Sequence, residues 1–176
     1  MKLMKKILLM GLLFTVGSIY SCSNVPKGVV VVRFFEIEKF LGTWYEIAQL
    51  EAKYEKKSSN ISVNYSLNED GTIRVMSQGY NVENKEWMKK EGKATFYINK
   101  NIAMLEISYG GLFHTPYNVI ALDEAYTYAL VIGKNTHYLW LLSRKKTIPE
   151  EVKQVYLKMA KDLGCKTSDL VWVEHD

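Results

Sequence analysis

Cysteine is scarce in this chain of 176 residues, which contains only Cys22 and Cys165. If Cys22 is modified, Cys165 is left alone and no intramolecular disulfide can form. The alternative is a bridge between these two residues, which would tie the ends of the chain together. Without the bridge, stability must come from a hydrophobic core, which a chain of this length can supply.

A basic surface is also missing once the N-terminal segment is set aside. The chain has 23 Lys and Arg against 19 Asp and Glu, a formal charge of +4. Residues 1–21 contribute three lysines and no acidic residue, so the remainder carries 20 − 19 = +1. No basic patch interleaved with aromatic residues replaces them, so no nucleic-acid partner is predicted.

Sequence motifs for catalysis and for cofactor binding are absent too. The chain has no G-x-S-x-G elbow, no P-loop and no glycine-rich dinucleotide fingerprint. Its three histidines, His114, His137 and His175, form no pair with the spacing of metal ligands. We therefore predict no cofactor and no metal site, and a protein that is not an enzyme.

The first residues have the pattern of a bacterial secretory signal. Three lysines precede an apolar run over residues 7–16, which is too short to span a membrane. The sequence Ile-Tyr-Ser-Cys at 19–22 resembles a lipobox, in which the signal is cut before a cysteine that receives lipid. We predict a signal peptide over 1–21, lipid attachment at Cys22 and a lipid-anchored linker over 22–33. An ordinary signal peptide that happens to end near a cysteine is the alternative.

From Trp44 onward, short runs of alternating apolar and polar residues are separated by turn signals, such as Asn-Glu-Asp-Gly at 68–71. The pattern predicts eight strands, over 44–51, 61–67, 72–80, 87–98, 102–109, 117–122, 128–132 and 138–143. Eight consecutive strands with short connections favour an all-β, antiparallel up-and-down barrel over 34–176, because closure removes exposed edges. A barrel of this size can hold one small ligand.

The apolar spacing changes after the eighth strand. Val152, Val155, Tyr156, Met159 and Leu163 recur at helical spacing, which predicts one C-terminal α-helix packed on the outside of the barrel. Thr147 and Glu150 are expected to form a capping box at its start. A short final strand is predicted over 169–173.

Three segments carry a family resemblance. They are GTWYEIA at 42–48, NVIALDEAYTYALVIG at 118–133 and LWLLSR at 139–144. In this order and at these separations, they resemble the three signatures of the lipocalins, and the helix follows where that family places it. The resemblance spans about residues 28–174 and is greatest to the bacterial lipocalins, which are outer-membrane lipoproteins.

The resemblance implies a lipid-binding lipoprotein that holds fatty acids or lysophospholipids for storage or transport in envelope maintenance. It implies a lipid anchor in the outer membrane, with the protein on the periplasmic face. Residues expected to hold the closed end of the barrel are Gly42, Trp44, Asp123, Tyr126 and Arg144. The Arg144 guanidinium is expected to lie on the Trp44 indole while it bonds backbone carbonyls. A homodimer is compatible with the sequence, which does not determine the oligomeric state.

Alternation along each strand selects the side chains that face the interior, and the family register decides between the two apolar faces of strand six. His114 is added because it stands where bacterial lipocalins place an aromatic residue near the ligand head group; an exposed loop histidine is the alternative. Together these side chains predict a mainly apolar cup suited to an acyl chain. The predicted ligand contacts are Val63, Tyr65, Val75, Ser77, Ala94, Phe96, Leu105, Ile107, Tyr109, His114, Tyr117, Val119 and Trp140.

Two other functions stay open at this point. Alternation places Glu46 and Ala48 on the inner face with Trp44. A small lipid-modifying enzyme could therefore use Glu46 or His114. Against this, lipocalins that are prostaglandin synthases use a thiol inside the barrel, whereas Cys165 follows the outer helix. The other possibility is a structural envelope lipoprotein whose barrel is filled by its own side chains.

Overall fold

A computed structural model describes residues 24–50, 58–111 and 113–176. Within these ranges, eight antiparallel strands form a closed barrel and a ninth lies outside it. The strands are β1 (Gly42–Leu50), β2 (Ser58–Leu67), β3 (Ile73–Asn81), β4 (Glu86–Phe96), β5 (Met104–Ser108), β6 (His114–Leu122), β7 (Tyr128–Ile132), β8 (Leu139–Ser143) and β9 (Val171–Trp172). Helix α1 (Ile37–Phe40) precedes β1, and helix α2 (Glu150–Asp162) follows β8.

The barrel closes through β1, which pairs with β8 on one side and with β2 on the other. The β1–β2 ladder covers only Gly42 to Tyr45. Beyond it, β9 pairs with β1, with Ala48 opposite Trp172, so this part of β1 is not left as an unpaired edge. We call the end where β1 begins the closed end, and the opposite end, where β3 meets β4 and β5 meets β6, the mouth.

Two hydrophobic clusters hold the barrel together, one inside it and one beneath α2. The strands that α2 covers are apolar on both faces, because each side chain packs against either the interior or the helix. In β7, for example, Val131 belongs to the internal cluster and Leu130 to the outer one. Tyr156 and Ala160 are the buried residues of α2.

Helix α2 begins without the predicted capping box. Pro149 occupies the N-cap position and no side chain caps the helix. The prediction was wrong because the helix begins at Glu150, which puts Thr147 two residues before the N-cap. The Thr147 carbonyl instead accepts from the Ser143 hydroxyl at 2.9 Å. Val155, predicted to face the barrel, is 56% exposed. Among the residues that the structure describes, no helix has both the length and the apolar character needed to cross a bilayer.

Arg144, directly after β8, joins the elements that meet at the closed end. Its Cζ lies 4.0 Å from the centre of the Trp44 ring, the geometry of a cation–π contact. Its N–H groups donate to the carbonyl oxygens of Lys39 at 2.8 Å, Thr43 at 2.9 Å and Tyr126 at 3.2 Å. One side chain thus connects α1, β1, β8 and the β6–β7 turn.

Trp44 plugs the closed end beneath this guanidinium. Its side chain is fully buried, and its Nε1 donates to the Phe40 carbonyl at 2.8 Å. Gly42 has a φ of +91°, and an added Cβ would be in van der Waals contact with Arg144 Nη1 at 3.4 Å. The backbone conformation at this position therefore favours glycine.

The β6–β7 turn is organised by Asp123 and Tyr126. An Asp123 carboxylate oxygen accepts from the amides of Thr127 at 2.7 Å and Tyr128 at 2.5 Å. Tyr126 has a φ of +55°, and its hydroxyl accepts from the Glu36 amide at 3.0 Å. The turn therefore presents the Tyr126 carbonyl to Arg144 while its ring reaches the segment before α1.

Replacing Arg144 with alanine should destabilise the fold by about 2–4 kcal/mol, since three carbonyls lose a charged donor and the indole loses its cation. Urea unfolding followed by circular dichroism measures the change. Arg74→Ala is the matched control, because Arg74 pairs with Glu91 at 2.7 Å on the exposed surface. Such a pair contributes less than about 1 kcal/mol. Equal losses for the two variants would contradict the role given to Arg144.

Candidate ligand cavity

A cavity of about 190 Å³ lies inside the barrel, lined by β1 to β6 and β8. Its lining residues are Glu46, Ile61, Ser62, Val63, Tyr65, Ser77, Lys90, Ile107, Tyr109, Thr115, Tyr117, Trp140 and Leu142. Larger depressions, of about 350 Å³ beside His114 and about 570 Å³ beside α2, lie on the outer surface. Because the internal cavity is the one enclosed by the barrel wall, it is the candidate ligand site.

The predicted contacts divide between the cavity and the packed barrel beneath it. Those on the cavity wall are Val63, Tyr65, Ser77, Ile107, Tyr109, Tyr117 and Trp140. Val75, Ala94, Phe96, Leu105 and Val119 instead belong to the internal hydrophobic cluster or pack against it. The half of the barrel next to the closed end is therefore filled by the protein's own side chains. The structural alternative had proposed such filling for the whole barrel.

A hydrogen-bonded pair of tyrosines crosses the barrel at the cavity. The Tyr65 hydroxyl donates to the Tyr117 hydroxyl at 2.7 Å, and the Tyr117 ring packs on Trp140 with 5.7 Å between centres. Burial raises the pKa of both phenols above the usual value, and the nearby Glu46 carboxylate raises each further. Both hydroxyls therefore stay protonated near neutral pH and can donate hydrogen bonds.

A second polar group lies toward the mouth, around Tyr109. Its hydroxyl is 3.1 Å from the Ser77 Oγ, and Lys90 Nζ lies 4.4 Å from its ring centre. The ring lies close against Gly92, where an added Cβ would come within 2.7 Å of it. The missing side chain at Gly92 thus gives the Tyr109 ring its place on the inner wall, with the Lys90 ammonium above it.

Sequence reasoning missed Lys90 and Gln49 on the inner face, for different reasons. Lys90 lies four residues before the inward-facing Ala94, so strand alternation could have found it. Gln49 could not be found, because a β-bulge between Glu46 and Ala48 shifts the register of β1.

Gln49, opposite Trp140, takes the inner position that alternation gave to Ala48. Ala48 packs in the outer cluster instead, so the prediction that it faces inward was wrong. Gln49 is 2% exposed, and its Oε1 accepts no hydrogen bond from the residues that the structure describes.

His114 does not join the other predicted contacts. It is exposed at the first position of β6 and lines the outer depression with Ser108 and Gly110. The reason is strand alternation: Thr115 and Tyr117 face the cavity, which turns His114 outward. The structure therefore places His114 and Glu46 on opposite sides of the barrel wall. In the described part of the chain, no three His, Cys, Asp or Glu side chains gather as a metal site.

The cavity wall is also more polar than predicted. Beside the aliphatic Ile61, Val63, Ile107 and Leu142, it includes Glu46 and Lys90, together with hydroxyls from serine, threonine and tyrosine. Glu46 is only 8% exposed, so a carboxyl group belongs to the buried part of the wall. A ligand that fits this wall must combine an apolar stretch with hydrogen-bonding groups.

A closed barrel of eight strands around an interior cavity defines the class of proteins that enclose a small molecule. Residues 35–175 match the family profile of the lipocalin-like domain, and the chain belongs to the lipocalin family. Lipocalins are generally binding proteins rather than enzymes.

The similar relatives include bacterial proteins named for their membrane attachment. The chain is 44% identical to Outer membrane lipoprotein Blc of Citrobacter freundii over 158 residues, covering 89% of each chain. It is 39% identical to the protein of the same name from Vibrio cholerae, covering 87% of this chain and 90% of that one. Insecticyanin from the tobacco hornworm Manduca sexta has the same fold, with a TM-score of 0.69, 18% identity and 87% of each chain covered.

The raised pKa of the buried phenols predicts a loss of stability at alkaline pH. Below the ordinary phenol pKa of about 10, these two groups make the free energy of unfolding independent of pH. Above it, the unfolded chain releases protons that Tyr65 and Tyr117 retain in the folded state, so the free energy of unfolding falls. The free energy of unfolding, measured by urea denaturation across this range, should fall less steeply for Tyr65→Phe. Tyr97→Phe, at an exposed position, is the control for losing one phenol. If the free energy of unfolding of Tyr65→Phe fell as steeply with pH as that of the original protein, the raised pKa of Tyr65 would be contradicted.

Proposed function

We propose that this protein is a non-enzymatic lipid carrier that holds a fatty acid or a lysophospholipid in its barrel. Its role is storage or transport of lipid in envelope maintenance, while a lipid on Cys22 tethers it to the periplasmic face of the outer membrane. The observation that carries the proposal is the mixed wall of an enclosed cavity, with apolar side chains inside and Lys90 toward the mouth. An amphiphile supplies the matching chemistry.

The charges on the wall favour one orientation of that amphiphile. Glu46 is buried, so an anionic head group placed beside it would lie in a poorly solvated site, where a charge is costly. Lys90 is exposed and lies over the Tyr109 ring, beside the Ser77 hydroxyl. A carboxylate or phosphate is therefore best placed near Lys90, with the acyl chain directed inward past Trp140.

The size of the cavity agrees with partial enclosure of the ligand. Its 190 Å³ is below the roughly 300–1,000 Å³ of sites that take up a whole drug-sized molecule. The enclosed part suits a length of acyl chain, each buried CH₂ contributing about 0.8 kcal/mol. The head group then stays at the mouth, where polar residues determine the preference among lipids.

The tether is supported by the N-terminal sequence and by the names of the relatives. Cys22 and the proposed signal peptide over 1–21 lie outside the described residues, as does the first part of the proposed linker, 22–33. Relatives from Citrobacter freundii and Vibrio cholerae are named outer membrane lipoproteins. Cys165 has a free, buried thiol, and burial raises its pKa, so it is poorly suited to serve as a nucleophile.

The enzymatic alternative named either Glu46 or His114. His114 lies on the outer face of the wall, away from a ligand held inside the cavity. Glu46 alone could still serve as an acid or base beside the hydroxyls of Tyr65 and Tyr117. Incubation of the protein with lysophospholipid decides this point, because release of free fatty acid would refute the carrier function.

Native mass spectrometry of the protein extracted from membranes should show one bound amphiphile. The expected mass increment is that of a fatty acid or a lysophospholipid, which the same spectrum identifies after dissociation. Trp140→Ala should lower the bound fraction, since it removes a wall of the cavity, whereas Trp172→Ala on the outer surface should not. Extraction with no lipid attached would indicate a barrel filled by its own side chains.

Lys90→Met should weaken the binding of a fatty acid by about two- to fivefold, the effect of a partly solvated charge pair. Displacement of a fluorescent fatty acid measures the change, and a fatty alcohol of equal chain length should be unaffected. Lys89→Met is the matched control, because Lys89 is the next residue of β4 and alternation turns it to the outer face. Equal weakening by both variants would show that Lys90 acts only through net charge.

A further inference from the structure

We propose that the mouth of the barrel docks against a lipid bilayer through a mouth patch formed by Val82, Trp87, Met88 and Phe113. The inference rests on the proposed tether at Cys22 and goes beyond it, because it specifies which end of the barrel meets the membrane. The occupant is a lipid surface, recognised by apolar side chains that project beyond the barrel wall.

The first part of the mouth patch lies on a hairpin that extends beyond its neighbour. The pairing of β4 with β5 ends at Lys93 and Ser108, whereas β4 continues toward the mouth to Glu86 and stays paired with β3. The seven residues over 86–92 reach roughly 20 Å along the strand direction. The tip of the hairpin therefore projects beyond the end of β5.

Apolar side chains are concentrated at this tip. Val82 is 49% exposed, Trp87 54% and Met88 40%. The Trp87 ring packs edge to face on Tyr80 with 5.6 Å between centres, so it is held on the outer face of the hairpin. An aromatic ring presented in this way suits the boundary between head groups and acyl chains.

Phe113 supplies the second part of the mouth patch, from the loop between β5 and β6. It is 85% exposed, one of the largest exposures of any apolar residue in the described chain. The loop begins with Gly110 and Gly111, both with a φ of +94°. At the mouth, the Phe113 ring lies beside the opening through which a lipid must pass.

The path of the N-terminal segment shows which end of the barrel the anchor is near. The Phe35 amide donates to the Asn101 carbonyl at 3.1 Å, near the closed end. Eleven residues earlier in the chain, the Asn24 amide group donates to Glu106 at 2.6 Å. From residue 35 back to residue 24, the contacts thus move along the wall from Asn101 to Glu106, toward the mouth.

Asn24, two residues after the proposed anchor at Cys22, lies on the wall toward the mouth. The Asn24 carbonyl also accepts from the Asn118 side chain at 2.9 Å, so this point of the chain is held on both β5 and β6. Two further residues span at most about 7 Å, which limits how far the acyl chains on Cys22 can lie from Asn24. Among the exposed apolar residues, the mouth patch is then oriented toward the membrane and Phe34 at the closed end away from it.

Docking at the mouth would strengthen the attachment and shorten the path of the ligand. An anchor combined with a second apolar contact holds a protein more firmly than a single contact. Lys85, Lys89 and Lys90 on the hairpin add attraction to anionic head groups, which Glu83 and Glu86 partly offset. A lipid could then move between bilayer and cavity with its head group close to Lys90 and its acyl chain shielded from water.

The test compares two phenylalanines of nearly equal exposure at opposite ends of the barrel, Phe113 at 85% and Phe34 at 87%. Full-length lipidated protein with Phe113→Cys, Trp87→Cys or Phe34→Cys is labelled with the polarity-sensitive fluorophore NBD. Cys165 is only 4% exposed and Cys22 is lipidated, so the new thiol is the reactive one. The proteins are reconstituted on phosphatidylethanolamine–phosphatidylglycerol vesicles that contain spin-labelled lipids as quenchers.

Docking predicts a blue-shifted, quenchable emission for the labels at 113 and 87, and a water-like emission for the label at 34. A shift at 34 alone, or no shift at any position while the protein floats with the vesicles, would overturn the proposal. A concentration-dependent shift at 113 without vesicles would assign the mouth patch to a second copy of the chain instead. Failure to float would refute the tether itself, and lipid extraction followed by native mass spectrometry reports separately on the cavity.

Discussion

The stack of Arg144 on Trp44 is the contact on which the rest of the barrel depends. The indole fills the closed end, and the guanidinium covers it while donating to carbonyls from three other segments. A guanidinium suits this position because its planar shape stacks on a ring and its several N–H groups point outward in fixed directions. The barrel thereby has one sealed end, and a small molecule can enter only through the other end.

Sealing has a consequence for where a ligand can lie. The side chains above Trp44 continue the packing, so the half of the barrel next to the closed end is solid and the cavity lies nearer the mouth. Its wall has a buried carboxylate at Glu46 and an exposed ammonium at Lys90. The positions of Glu46 and Lys90 give the site a direction, with apolar side chains inside and the Lys90 ammonium toward the mouth.

Much of the fold and part of the site could be predicted from the sequence. Strand alternation found the inward faces of β2, β3 and β5 because those strands keep a regular register against their neighbours over these positions. The same reasoning failed at Ala48, since one extra residue in β1 reverses the faces beyond it. His114 was misplaced by the family resemblance rather than by alternation. Position in a motif indicates nearness to the mouth, whereas alternation along β6 decides which side of the wall a residue occupies.

The sequence by itself determined the eight strands, the closing residues Gly42, Trp44 and Arg144, and the family, because these depend on local periodicity and on motifs with separations that the fold requires. Only the tertiary structure decided how deep the cavity reaches, that Gln49 takes an inner position in β1, and that the β3–β4 hairpin projects beyond β5. These properties arise from packing density, from a bulge and from unequal strand lengths. Each is set by contacts between strands far apart in the chain, so no single segment carries a signal for it.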